Sequence, residues 1–338
     1  MTSEINLDDF PTLKLKHVHI KDKRRLLRTI NTMLTDGCNS LQVRIFSKYF
    51  FIFIRISYLL FISTHKFLVS IYTYVHNFKF VGKYCFQIVT DFDLTLTKQH
   101  VDGKKVLSSF GIFSKCKQLP EIYAKESSRL YQKYRPIEID PNLSIEVKTE
   151  AMREWMIAAE EILKGIPFTP DEIPEISNIY GTHLRDGTKE FFKKLHFVKI
   201  PVLVFSAGLG DIVEAILKNQ GVLFDNVKII SNFLKYKDGK LAGFQNERLI
   251  HVFNKNEHAI EQDYFKVLEG RKNVFLMGDT IGDASMVDGM VNTCAVLKIG
   301  FLYDNIESSL ASFMEKFDIV LVDDQTMQVP IDILRLLL

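Results

Sequence analysis

Cysteine is scarce in this chain. Four occur in 338 residues, Cys38, Cys85, Cys116 and Cys294, and no two are spaced as C-x-x-C or in another metal-binding pattern. A zinc site therefore fits poorly, and so few scattered thiols suit a reducing compartment. There is no excess charge: the net value is +2, which singles out no partner and gives no reason to expect a nucleic-acid polymer. The opening residues MTSEINLDDF lack the basic start and apolar run of a secretory signal, which predicts a cytoplasmic protein. The bulk composition, 47% apolar and 25% charged, is that of a globular chain.

Acidic residues are missing altogether between Val43 and Gln87, a block that holds 14 of the 40 aromatic residues and six Lys or Arg. Within it, Tyr49–Val75 resembles a membrane span, and a span needs about 20 mostly apolar residues. The run is broken by Arg55 and by His65-Lys66, and one central charge costs roughly 3 kcal/mol on insertion scales. A buried strand pair is an alternative, since Ile, Phe and Tyr favour strands. A third reading starts from the edges. The block can be excised in frame, joining NSLQ to IVTDFDLTLT, and its ends can be encoded by splice-donor and splice-acceptor sequences. On that reading Val43–Gln87 is an in-frame intrusion, such as a translated retained intron, and a membrane anchor is not expected.

Outside the block the pattern is alternating. Leu26, Leu27, Ile30 and Leu34 recur at helical spacing over residues 22–36. A strand FQIVTDFD follows. From Thr97 to about Gly187 the chain reads as mainly helical, interrupted at RLYQKYRPIEIDP, with EVKTEAMREWMIAAEEILKG as a long helix and a break at Pro167, Pro170 and Pro174. Thereafter come strand IPVLVFSAG, a helix ending at Gly221, strands VKIIS and NVFLMGD, helix DASMVDGMV, strand AVLKIG, helix IESSLASFMEKF and strand DIVLV. That alternation predicts an α/β fold, a parallel sheet with helices on both faces, and ligands beyond the carboxyl ends of the strands.

Four stretches fall at such ends. VTDFDLTLT puts Asp91 and Asp93 two residues apart, on the same side of an extended chain. Two adjacent carboxylates repel unless a cation or shared proton relieves them, and magnesium takes hard oxygen ligands together with substrate phosphate. Asp91 could then attack phosphorus, with Asp93 placed to protonate the leaving oxygen and later activate water. VFSAGLGD ends a strand at Ser206 and opens a helix through Gly208 and Gly210, a turn able to admit a phosphate or merely to link two elements. HVFNK supplies Lys255, which could stabilise phosphate and nucleophile, although a lone lysine is usually surface. FLMGDTIGD supplies Asp279 as a third carboxylate and Asp283 as a hydrogen-bonding support to metal waters or Lys255.

Together these stretches resemble the haloacid dehalogenase superfamily of magnesium-dependent aspartyl phosphotransferases. VHIKD, VTDFDLTL, FSAGLGD, IISNF, LIHVFNK, GDTIGD and DIVLV are similar more narrowly to cytosolic 5′-nucleotidase III, over residues 15–42 and 88–338. The resemblance implies a Rossmann-like parallel-sheet core with a mainly helical cap inserted after the first catalytic strand. Residues 1–42, 88–97 and 188–338 would form the core, 98–187 the cap, and 43–87 would have no counterpart. It implies a monomer that hydrolyses pyrimidine nucleoside monophosphates, 7-methylguanosine monophosphate or both. Asp91 would be nucleophile and metal ligand, Asp93 the acid/base and a ligand through its carbonyl, and Asp279 the remaining ligand. Ser206, Ala207 and Lys255 would hold phosphate, and Glu138 in YRPIEIDP would contact the base. Ala159 falls where the family usually has a substrate-contacting serine, which leaves base preference open. Trp155 is either a stacking surface for a purine or part of the cap's packing. Two other readings stay open: the same chemistry on another small phosphate ester such as phosphoserine, and a membrane-attached inactive isoform.

Overall fold

The structure is a computed structural model that describes residues 10–36, 86–140, 142–255, 271–288 and 293–338. Its strands are β1 (Val18–Ile20), β2 (Phe86–Thr90), β3 (His100–Val101), β4 (Lys104–Lys105), β5 (Val202–Leu209), β6 (Val227–Asn232), β7 (Leu234–Lys237), β8 (Lys240–Phe244), β9 (Asn273–Gly278), β10 (Ala295–Leu302) and β11 (Ile319–Val322). The helices are α1 (Lys23–Asp36), α2 (Ser109–Phe113), α3 (Glu121–Ile139), α4 (Ile145–Glu161), α5 (Glu172–Tyr180), α6 (Thr188–Phe197), α7 (Gly210–Asn219), α8 (Ile306–Lys316) and α9 (Gln328–Leu337). Seven of the described strands form one sheet in the order β1-β11-β10-β9-β2-β5-β6. All neighbours are parallel except the β1–β11 pair at one edge.

Strand β2 is central, and every residue from Phe86 to Thr90 is buried. A parallel strand covered on both faces needs apolar residues at successive positions, which FQIVT nearly provides. Ile88 joins one core with Phe191, Phe192, Ile212 and Ile333, from α6, α7 and α9. Val89 joins the other with Leu276, Phe313 and Phe317, on the α8 side. Helices therefore lie on both faces, and the α/β fold expected from the alternation is present. The first helix starts where Asp22 Oδ1 accepts from the N–H groups of Arg24 (2.9 Å) and Arg25 (3.0 Å), satisfying donors that lack intrahelical partners. Helix α7 ends at Gly221, whose φ of +67° only glycine adopts readily.

Two expectations are corrected, and three elements are new. RLYQKYRPIEIDP does not interrupt a helix: α3 continues through Pro136 to Ile139. An interior proline costs about 3 kcal/mol, but here only one further turn follows it. Packing of Leu130 and Tyr134 against Met152 of α4 keeps the pair together. DASMVDGMV is, among the described residues, only a 3₁₀ turn at Asp283–Ser285. The β7–β8 hairpin, the antiparallel edge strand β1 and helix α9 were not anticipated.

The proposed span Tyr49–Val75 and the rest of the aromatic block up to Cys85 lie outside the described residues. Its last two residues, Phe86 and Gln87, are part of β2. Phe86 is buried, and Gln87 Nε2 donates to the Arg271 carbonyl at 3.2 Å. Among the described residues no helix is long and apolar enough to cross a membrane.

Candidate active site

The carboxyl ends of β2 and β9 come level, since Thr90 lies opposite Met277, while β5 pairs with β2 at Val204 and runs on to Leu209. Asp91 follows directly, and its N–H still donates to the Met277 carbonyl at 3.0 Å, so its backbone is held by sheet pairing. The chain then turns sharply. Leu94 has a φ of +62°, unusual for a residue with a Cβ. Its N–H donates to Thr97 Oγ1 (2.8 Å) and its carbonyl accepts from Arg185 (2.6 Å). Arg185 is 1% exposed and also donates to the carbonyls of Thr95 (2.7 Å) and Asp324. A buried guanidinium spread over three carbonyls thus shapes the turn after Asp93.

Lys255 reaches this strand end from the loop after β8. Its Nζ donates to Asp91 Oδ1 and, at 2.8 Å, to Asp283 Oδ1. Burial opposes its charge, but Asp283 and Asp91 raise its pKa above the ordinary lysine value. Asp283 Oδ2 accepts from the Asp279 N–H (3.2 Å), the Thr280 N–H (2.9 Å) and Thr280 Oγ1 (2.8 Å). Both oxygens of Asp283 are thereby occupied. Gly278 is required beside it, because a Cβ there would overlap the Asp283 side chain.

Oxygens of Asp91, Asp279 and Asp283 lie within 4.8 Å of one another. Burial raises the pKa of Asp91, against the pull of Lys255, and raises that of Asp279, with Asp91 and Asp283 adding to it. Asp91 Oδ2 is buried with no hydrogen-bond partner among the described residues, a costly state for a carboxylate. One lysine facing three carboxylates, with an orphaned oxygen among them, fits a hard divalent cation. Since Asp283 is already satisfied, Asp91 and Asp279 are the side chains with oxygens to offer.

The strand expected to end at Ser206 instead runs on to Leu209, with a register irregularity against β6 between Phe205 and Leu209. Ser206 Oγ accepts from the Gly208 N–H at 3.0 Å, and Ser231 Oγ donates to the Gly208 carbonyl at 3.0 Å. Asn232, at the end of β6, donates to the carbonyls of Ala207 (3.1 Å) and Ile250 (2.9 Å), and its Oδ1 accepts from the Ile250 N–H (2.9 Å). That one amide joins the end of β5 to the segment leading to Lys255. In that segment, His251 is buried and its Nδ1 accepts from the Phe253 N–H at 3.3 Å. Burial, then the charge of Arg248, lowers its pKa to about 4.

Asp93 is held by a residue that sequence reasoning missed. Ser109, the first residue of α2, donates its N–H to Asp93 Oδ1 at 2.8 Å and its hydroxyl to Oδ2 at 2.6 Å. The second serine of a helix-opening Ser-Ser pair carries no signal of such a role. Arg135 was also missed. It donates to Glu138 Oε2 at 2.6 Å, one helical turn along α3, and its charge reaches Asp279. Burial works against that charge, but Glu138 raises its pKa above the usual arginine value. The R-x-x-E spacing was the available clue.

The sequence-derived residues thus fall into groups. Asp91, Lys255, Asp279 and Asp283 meet, Ser206 and Ala207 are adjacent near the end of β5, and Glu138 pairs with Arg135. Trp155 stacks on Tyr134 at 5.8 Å between ring centres, within the α3–α4 packing. Ala159 is a half-buried residue of α4 that adds no polar group.

A family model, Pyrimidine 5′-nucleotidase (UMPH-1), matches residues 94–338. A 7-methylguanosine phosphate-specific 5′-nucleotidase of Drosophila melanogaster is 47% identical over 266 residues, 78% of this chain and 83% of that protein. One of the same description from Homo sapiens is 40% identical over 245 residues, 72% of this chain and 81% of that protein. The crystal structure of cytosolic 5′-nucleotidase IIIB bound to cytidine is similar with a TM-score of 0.81 at 40% identity, covering 98% of this chain and 97% of that one.

Proposed function

The chain belongs to the pyrimidine 5′-nucleotidase family, the cytosolic 5′-nucleotidase III enzymes, which are phosphoric monoester hydrolases, and from that premise we propose how it acts. It hydrolyses nucleoside 5′-monophosphates, 7-methylguanosine monophosphate and pyrimidine nucleotides such as CMP, through an aspartyl-phosphate on Asp91. The observation that carries this reading is Asp91 itself: one oxygen bonded to Lys255, the other buried and without a hydrogen-bond partner among the described residues, just past the end of β2. An oxygen in that state is available to bond phosphorus.

In the first half of the reaction Asp91 attacks phosphorus and the bond to the ribose 5′-oxygen breaks. Asp93 gives its proton to that oxygen, so a neutral alcohol leaves. In the second half Asp93 takes a proton from water as the water attacks phosphorus, releasing inorganic phosphate and restoring Asp91. Lys255 holds Asp91 in place and offsets charge on the phosphate, while Ser206 and Ala207 bind phosphate oxygens from the end of β5. Asp91, Asp279 and the Asp93 carbonyl would hold magnesium, which when bound neutralises the carboxylates and polarises the phosphate.

Residues 98–187 act as a cap over the substrate, with Glu138 accepting from the base. A carboxylate suits the exocyclic amines of cytosine and 7-methylguanine. Trp155 contributes through packing on Tyr134, and Ala159 leaves base selection to Glu138. The reading is consistent with a cytoplasmic monomer.

The test is a phosphate-release panel of 7-methylguanosine monophosphate, CMP, UMP and phosphoserine, with and without magnesium, for the native chain and Asp91→Asn. Turnover of the nucleotides that requires magnesium and vanishes in the variant is expected. An Asp91→Asn enzyme with full turnover refutes the mechanism, and a preference for phosphoserine refutes the substrate class.

A further inference from the structure

Asp93 has both oxygens engaged by a single residue 16 positions away. Ser109 gives its backbone N–H to Oδ1 at 2.8 Å and its hydroxyl to Oδ2 at 2.6 Å. The N–H is free for this because the first donors of a helix have no intrahelical acceptor. The hydroxyl cannot turn elsewhere, since its oxygen accepts from the Leu209 N–H at 3.0 Å, leaving its single proton for Asp93. Ser109 is fully buried. Gly208 lies against both groups, and a Cβ there would overlap Ser109 Oγ and Asp93 Oδ2. Three segments distant in sequence thus meet at one hydroxyl: the turn after β2, the start of α2 and the end of β5.

A carboxyl bonded at both oxygens to one rigid partner cannot rotate about either side-chain torsion without losing a bond. The bond from Leu209 ties that partner to the end of β5, which carries Ser206 and Ala207. The donor of the proton and the proposed cradle of the phosphate are therefore held at a fixed separation. We propose that Ser109 is a positioning residue for proton transfer to the leaving oxygen, locking the Asp93 carboxyl in register with the end of β5. The inference rests on the reading of Asp93 as proton donor. The step it serves balances as already written: the P–O5′ bond breaks, its electron pair stays on O5′, and the Asp93 proton goes to that oxygen while Asp91 bonds phosphorus.

Leaving-group dependence tests this, because a primary alkoxide needs that proton and nitrophenolate departs without it. kcat/KM reports the step in which the leaving group departs. It is measured for CMP or 7-methylguanosine monophosphate and for p-nitrophenyl phosphate, in the full-length native chain, Ser109→Ala, Ser109→Cys, Asp93→Asn and the Asp93→Asn/Ser109→Ala pair. Misplacing a general acid is expected to lower the nucleotide value in Ser109→Ala on the order of 10- to 100-fold, with a much smaller loss on p-nitrophenyl phosphate. Ser109→Cys, which keeps the size and a weak donor, falls between. Adding Ser109→Ala to Asp93→Asn costs little more.

Equal losses on both substrates, or full additivity with Asp93→Asn, overturn the inference and leave Ser109 a packing residue. If Asp93→Asn itself lacks leaving-group dependence, the reading of Asp93 fails first. If Asp93→Asn has it and both Ser109 variants do not, only the present inference fails. Thermal unfolding of each variant separates lost fold from lost positioning, and Ser109→Cys carries the test should Ser109→Ala not fold.

Discussion

Lys255 and Asp283 pair at 2.8 Å with side chains 1% and 0% exposed. Breaking a buried pair from one side leaves an uncompensated charge and costs about 3–5 kcal/mol. Asp283→Ala also strands the donors of Asp279 and Thr280 that now converge on its Oδ2. A loss of about that size in urea denaturation is expected. Lys255→Met removes the cation between Asp91 and Asp283, and turnover is expected to fall at least 100-fold, on the order found for a single preorganised electrostatic group. A Lys255→Met enzyme within a few-fold of native would contradict the arrangement.

Arg135 donates to one oxygen of Glu138, and on the proposed reading the other meets the base. Arg135→Gln and Glu138→Gln are each expected to raise KM for CMP and 7-methylguanosine monophosphate about tenfold, the worth of one charge-assisted hydrogen bond. On p-nitrophenyl phosphate, which has no base, both should do far less. Steady-state kinetics on the three substrates decides it, and comparable effects on all three would place the pair outside base recognition.

His251 carries a pH dependence. Its folded-state pKa is about 4, below the ordinary histidine value of about 6.5, so it stays neutral in the folded chain. Between those values the unfolded chain binds the extra proton, and stability falls as pH drops. The contribution is complete above about pH 6.5 and is lost progressively down through about pH 4. Melting temperature followed across that window should decline less steeply in His251→Gln than in the native chain.

Phe86 and Gln87 belong to both the aromatic block and the central strand. Deleting Val43–Gln87 would bring Leu41 and Gln42 next to Ile88, turning FQIVTDFD into LQIVTDFD. A leucine can fill the buried Phe86 position with a modest loss, and the glutamine is retained to meet the Arg271 carbonyl. The shortened chain is expected to fold and to keep nucleotidase activity, checked by circular dichroism and phosphate release. An insoluble product would show that the block supports the fold.

The sheet was legible because β2, β5, β9, β10 and β11 are buried on both faces and read as continuous apolar runs. Asp91, Lys255, Asp279 and Asp283 could be singled out because few residue types do phosphoryl chemistry and each follows a strand or sits between two. Ser109, Arg185 and Asn232 could not. Their partners lie 16 to 139 positions away for the two serine and arginine contacts, and local patterns are silent about such pairing. Pro136 misled for a related reason: a proline argues locally for a break, and the decision lay with packing on α4.

Asn232 sits under the end of β5 carrying Ser206 and Ala207 and under Ile250 at the same time. It behaves as a bolt through two plates. The end of β5 and the segment ahead of Lys255 cannot open separately without unmaking its bonds, so the two form one fixed wall.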